Sequence, residues 1–140
     1  MKHLLLFICV TFISISSVSA QQYLNESINY NNELKKCNTN LTDVLSYVTY
    51  AENAKTYQEF NNYYKKIHSS MLAALANTFN AEAQAKAMND ENKVATMKIL
   101  GKVINLMFEC YDIGLAGDAF TVIRKEAEIL KNICLKEIRY

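Results

Sequence analysis

The chain contains no proline, and its only glycines are Gly101, Gly114 and Gly117. Hairpin turns draw on glycine, Asn-Gly pairs and proline for backbone conformations that other residues resist. A chain of 140 residues with so little punctuation does not make a β-domain. The same scarcity favours helices, because proline and glycine are the residues that most disfavour a helix interior. An all-α fold is expected, and the spacing of apolar residues agrees.

The amino terminus carries a different pattern. Lys2 and His3 precede an apolar run from Leu4 to about Ile15, followed by Ser16, Ser17 and Val18-Ser19-Ala20. A short basic start, an apolar centre and small residues at the −3 and −1 positions describe a cleavable secretory signal. The apolar run is shorter than the roughly 20 residues that a bilayer span needs, and Lys98 and Lys102 interrupt the most apolar later region. Residues 1–20 are therefore expected to be removed, leaving 21–140 as one exported helical domain with no membrane span.

Within that domain the strongest start signal is Thr56 followed by Glu59, the spacing of a capping box. After it Phe60, Tyr63, Tyr64, Ile67, Met71, Leu75 and Phe79 recur at three- and four-residue steps, which is one apolar helix face. A break is expected around Asn77–Asn80, since asparagine suits caps better than helix interiors. Asp90 is the expected cap of a second helix, with Val94, Met97, Leu100, Ile104, Met107 and Tyr111 inward and Gly114 at its end. Asp118 is the expected cap of a last helix bearing Phe120, Ile123, Ala127, Leu130, Cys134 and Ile138. Nearer the amino terminus, Asn40 is the expected cap of a helix from Leu41 to about Ala54, and residues 21–39 form a weak helix or a tail. The whole reads as a single antiparallel bundle of four or five helices, because short connections favour antiparallel neighbours.

Charge excludes some partners. Removing Lys2 leaves 14 basic against 14 acidic residues, evenly spread along the chain. Nucleic-acid affinity rests on phosphate neutralisation by a basic surface, and docking to anionic lipid has the same requirement. Neither partner is expected.

Cys9 departs with the signal, leaving Cys37, Cys110 and Cys134. An odd number allows one internal disulfide and one remaining thiol. In an antiparallel hairpin of the last two helices Cys110 lies opposite about Phe120 or Thr121, so Cys134 is roughly 20 Å away by helical rise. Cys37 precedes the Leu41 helix, at the end of the bundle where the last helix finishes. Cys37–Cys134 is the expected bridge, with Cys110 a buried thiol or the link of a homodimer.

The remaining chemistry is sparse. His68 is the one histidine after cleavage, and neither Cys-x-x-Cys nor Glu-x-x-His spacing occurs, so zinc and di-iron frameworks lack their ligands. Glu109 and Asp112 flank Cys110, and negative neighbours oppose thiolate formation. No glycine-rich phosphate loop or Gly-x-Ser-x-Gly turn occurs. No cofactor and no enzyme activity are expected. Asn25-Glu26-Ser27 and Asn40-Leu41-Thr42 have the form of N-glycosylation acceptors. Tyr47, Tyr50, Tyr57, Tyr63 and Tyr64 crowd the first helix junction, where they cover the core edge or line a contact surface. Two activities fit: a secreted protein that engages another protein through its helical surface, or a soluble carrier of an apolar small molecule held between helices.

Overall fold

The computed structural model describes residues 2–113 and 117–138. Among them are four helices and no strand: α1 (Lys2–Glu52), α2 (Tyr57–Ala87), α3 (Glu91–Ile113) and α4 (Gly117–Glu137). Each helix packs against its two neighbours around a ring, α1 on α2, α2 on α3, α3 on α4 and α4 back on α1. Chain neighbours run antiparallel, so one end of the ring holds the α1–α2 turn and the other the α2–α3 turn.

Local chemistry sets the turns. Thr56 is extended (φ −129°, ψ 153°), and its hydroxyl accepts from the Glu59 amide at 3.1 Å. The Glu59 carboxylate accepts in return from the amide of Lys55, one residue before the expected donor, at 2.9 Å. At the far end of α2, Asn89 takes a left-handed backbone (φ 55°). The Asn89 amide then reaches the Lys86 carbonyl and the Asp90 amide the Ala85 carbonyl, both at 3.0 Å, which closes the helix as a Schellman motif. Asp90 at once caps α3, accepting from the Lys93 amide at 3.1 Å and pairing with its ammonium at 2.6 Å. These bonds hold the Asp90 carboxyl below the usual range, through Lys93 above all.

Three boundaries differ from expectation. Asn40 caps nothing, because α1 passes through it unbroken. Asn77 and Asn80 do not interrupt α2. In both places a helix-breaking tendency is overridden by a partner across the seam. Asn40 Nδ2 donates to Asn77 Oδ1 at 2.8 Å, and Asn77 Nδ2 donates to Glu33 Oε2 at 2.8 Å. Asn80 Nδ2 reaches the same Glu33 oxygen at 3.3 Å. With their amides satisfied on another helix, these side chains do not compete for their own backbone. Asp118 lies within the first turn of α4, where a carboxylate favours the helix dipole, and does not cap it. Gly114 falls outside the described residues.

The inward stripes lie as the periodicity predicts on α3 and α4. On α2 the expected Phe79 is instead 57% exposed, and the buried face passes through Ala74, Thr78 and Ala81, because a strict four-residue step drifts off a 3.6-residue helix. Leu34, Leu41, Val44 and Val48 of α1 meet Ile67, Met71 and Ala74 of α2, Leu100, Ile104 and Met107 of α3, and Ile123, Ala127 and Leu130 of α4, all fully buried. Removing each large side chain of this kind from water stabilises the fold by about 1.5–3 kcal/mol.

Candidate functional site

The clustered tyrosines separate into two groups once folded. Tyr47 and Tyr50 of α1 and Tyr63 of α2 form an outward cluster, with ring centroids 5.3–6.4 Å apart. The Lys66 ammonium stands 5.5 Å from the rings of Tyr47 and Tyr63, within reach of a cation–π attraction. Tyr64 turns the other way. Its ring stacks on Tyr111 of α3 at 4.0 Å and 15°, flanked by Phe60 and Phe120. Tyr64 Oη donates to the Tyr111 carbonyl at 2.6 Å, and Tyr111 Oη donates to the Tyr64 carbonyl at 3.0 Å. This reciprocal clasp joins α2 to α3. Burial, then the neighbouring Tyr64 and Asp112, push the Tyr111 phenol up to about 12, and burial with Asp112 raises Tyr64. The rings fill space against one another and line none of the described hollows. Tyr57 stands apart at the start of α2, 80% exposed.

The opposite end of the ring is built from other chemistry. Tyr30 of α1 is fully buried, and its hydroxyl donates to Glu137 Oε2 of α4 at 3.3 Å. Burial first, then Glu137, push that phenol upward. The Lys93 ammonium lies 5.7 Å from the Tyr30 ring, which ties in the start of α3. Cys37 and Cys134 are both fully buried free thiols at this end, and Cys110 is a partly buried one on α3. Beside them runs the polar α1–α2 seam. Burial alone would raise Glu33, but hydrogen bonds from Lys36, Asn77 and Asn80 outweigh it and hold the carboxyl low.

His68 is exposed and lies edge-on to Phe108 at 5.2 Å, a surface ring covering the α2–α3 boundary. Among the described residues, no three His, Cys, Asp or Glu side chains stand together to hold a metal, and no helix is long and apolar enough to cross a membrane. Of the glycosylation acceptors, Asn25 is exposed. The side-chain nitrogen of Asn40, the atom that would carry a glycan, is held by Asn77.

One surface feature escaped the sequence reading. On α3, the edge bearing Gly101 and Phe108 faces α2, since Thr78 and Leu75 flank Gly101 and His68 meets Phe108. The other edge, toward α4, carries Ile99 and Leu106, 56% and 53% exposed, with Val103 and Cys110 beneath. On α4, Arg124 reaches Glu52 on the α1 side, so Val122, Ile129 and Ile133 lie on the side toward α3. Val122 and Ile129 are 40% and 42% exposed. By helical spacing the two edges flank the α3–α4 seam, with Glu126 among the apolar residues of the α4 edge and Ile113 one heptad beyond Leu106. The signal was present as heptad steps, Ile99–Leu106–Ile113 and Val122–Ile129, offset from the core stripe. Set against protein-family models, curated proteins and solved structures, the chain matches none of them.

Proposed function

We propose that this chain is a secreted helical interaction protein, matured by cleavage after Ala20, which engages the apolar surface of another protein through its outer α3–α4 face. The observation that carries this reading is that Ile99, Leu106, Val122 and Ile129 are all exposed and fall, by helical spacing, on the two helix edges that flank one seam. Isolated exposed apolar residues are ordinary, whereas a contiguous apolar strip rimmed by polar side chains marks a contact site. Lys102, Glu109, Lys125 and Glu128 supply charges of both signs on the same two helices, so specificity would come from pairing at the rim. A second copy of this chain, linked through Cys110, is one form such a partner takes.

The carrier reading draws less support. A site for an apolar molecule is an enclosed, mostly apolar hollow between helices. The described hollows are open surface grooves, one of about 380 Å³ beside Lys86, Asn89, Glu91, Val94 and Lys98, and another along Asn29, Asn32, Glu33, Lys36 and Asn80.

Native mass spectrometry of the protein isolated from the fluid its cells release is the test. The expected species starts at Gln21 and carries the added mass of a protein chain, and the complex dissociates in a Leu106→Lys, Ile129→Lys variant whose helical circular dichroism is unchanged. A monomer carrying a small mass that organic solvent strips would replace the reading with the carrier. A product retaining Met1–Ala20 would overturn the export part of it.

A further inference from the structure

We infer that Cys37 and Cys134 are the two halves of one intrachain disulfide that ties α1 to α4 near the α2–α3 end of the bundle, and that Cys110 stays outside it. Two contacts set the register of α1 against α4. Glu52 pairs with Arg124 near one end, and Tyr30 with Glu137 near the other. Counted from the first contact, Cys37 falls five residues past the level of Cys134; counted from the second, it falls four residues short. Long side chains slant across the seam at both contacts, the two offsets oppose each other, and the level register lies between them. The cysteines belong to the inward stripes of their helices and are both 0% exposed. Both thiols are free, and Cys134 is the neighbour that acts most on the Cys37 thiol. Cys110 is near the opposite end of α3, about 20 Å along the helix from the level of Cys134, against the roughly 7 Å between Cα atoms that a disulfide tolerates.

The electron balance requires an oxidant, and a small-molecule disulfide such as oxidised glutathione supplies it. One cysteine thiolate attacks a sulfur of the small disulfide, releasing one glutathione thiolate and leaving a mixed disulfide. The second cysteine thiolate attacks the protein sulfur of that intermediate, forming the Cys37–Cys134 bond and releasing the second glutathione thiolate. The two thiol protons end on the two released glutathiones, and the protein loses two electrons.

Burial decides when this can happen. The hydrogen bond with Cys134, then burial, push the Cys37 thiol upward, and the thiolate is the reacting species. In the closed bundle Cys37 is protonated and out of reach, so the bond forms while α1 and α4 are still apart and is shielded from reductant once they close. The inference concerns chain geometry and holds whether or not the protein is exported.

Refolding the full chain from urea in a buffer of oxidised and reduced glutathione, then mapping peptides without reduction, tests it. The expected product is a Cys37–Cys134 linked peptide, with Cys110 open to alkylation. The same link should form in Cys110→Ser. Unfolding titrations of the oxidised and reduced forms should differ by up to the order of a thousandfold in the folding equilibrium, the loop-entropy expectation for a loop of nearly a hundred residues. In the reduced native protein, iodoacetamide should modify Cys110 well before Cys37 or Cys134, and all three at similar rates in urea. A peptide linking Cys110 to Cys37 or Cys134, no intrachain link under excess oxidant, or Cys37 alkylated as fast as Cys110 in the native protein would each overturn the assignment.

Discussion

The two ends of this bundle are held by different forces. Around the α1–α2 turn the contacts are aromatic: Tyr64 and Tyr111 clasp each other, with Phe60 and Phe120 packed beside them. Around the α2–α3 turn the interior holds Ala81, Ala85, Met88 and Met97 beside Tyr30 and Leu34. Its cross-helix ties are Tyr30 on Glu137 and Lys93 over Tyr30, with the free thiols of Cys37 and Cys134 buried nearby. Large rings supply area and directional bonds together. The other end combines one buried ring, Tyr30, with small side chains and charged groups, whose contribution changes as acid protonates its carboxylates. The polar seam of Glu33, Asn40, Asn77 and Asn80 extends toward it.

The largest expected effect comes from breaking the aromatic end. Tyr111→Ala removes a buried ring, its stacking on Tyr64 and the hydrogen bond its hydroxyl donates to the Tyr64 carbonyl, while the Tyr64 hydroxyl keeps the backbone carbonyl of residue 111. The loss should be about 3–5 kcal/mol in urea unfolding. A loss below that of Met97→Ala at the other end would reverse the ranking of the two ends. Next is the polar seam. Asn77→Ala leaves Asn40 without its acceptor and strips one donor from Glu33, so a loss of about 1–2 kcal/mol is expected. If Asn77 were only a tolerated surface residue, the change would be near zero.

Titration sharpens the contrast through its sign. The Tyr111 phenol, raised to about 12, holds its proton more tightly folded than unfolded. Its contribution is complete below the unfolded value of about 10 and disappears as pH climbs from there through the folded value. Glu33 is depressed, so its contribution is present above the unfolded carboxylate value and disappears as pH falls through the lower folded one. Tyr111→Phe should cost about 1 kcal/mol at neutral pH and flatten part of the alkaline loss of the thermal midpoint. Glu33→Gln should flatten part of the acid loss and leave the alkaline limb alone. Tyr30 is also raised, so Tyr30→Phe should remove a further share of the alkaline limb. Removal of the whole limb by Tyr30→Phe would show that the aromatic clasp does not titrate as described.

Between the ends, a methyl group added at Gly101 would stand 3.6 Å from Thr78 Oγ1 and 3.9 Å from Leu75 Cδ1, ordinary contact distances. Gly101→Ala should therefore stabilise by about 0.5–1 kcal/mol, by lowering the entropy of the unfolded chain and raising helix propensity. A destabilisation would mean that α2 and α3 are closer than these distances imply. The smallest effect is expected on the outer strip, where Leu106→Lys should change stability by no more than about 0.5 kcal/mol. A larger loss would make that strip part of the core and weaken its reading as a contact surface.

Much of the helical layout was legible in the residue order, because it depends on groups a few positions apart. Thr56 with Glu59 and Asp90 with Lys93 satisfy amides within one turn of themselves, and the inward stripes follow the 3.6-residue period. The scarcity of glycine and proline excluded the alternative fold class by the same local reasoning. What the tertiary structure alone decided involves partners 37 to 107 residues away. Asn40 and Asn77 read locally as helix ends, yet they sit within continuous helices because Glu33 and each other satisfy their amides. Tyr63 and Tyr64 are adjacent in the chain, yet one meets Tyr47 on the surface and the other Tyr111 inside. The strip of Ile99, Leu106, Val122 and Ile129 becomes a single surface only when α3 and α4 lie side by side. A hydrogen bond within one turn is set by chain spacing, whereas a bond across a seam is set by register, which only the packing of whole helices establishes.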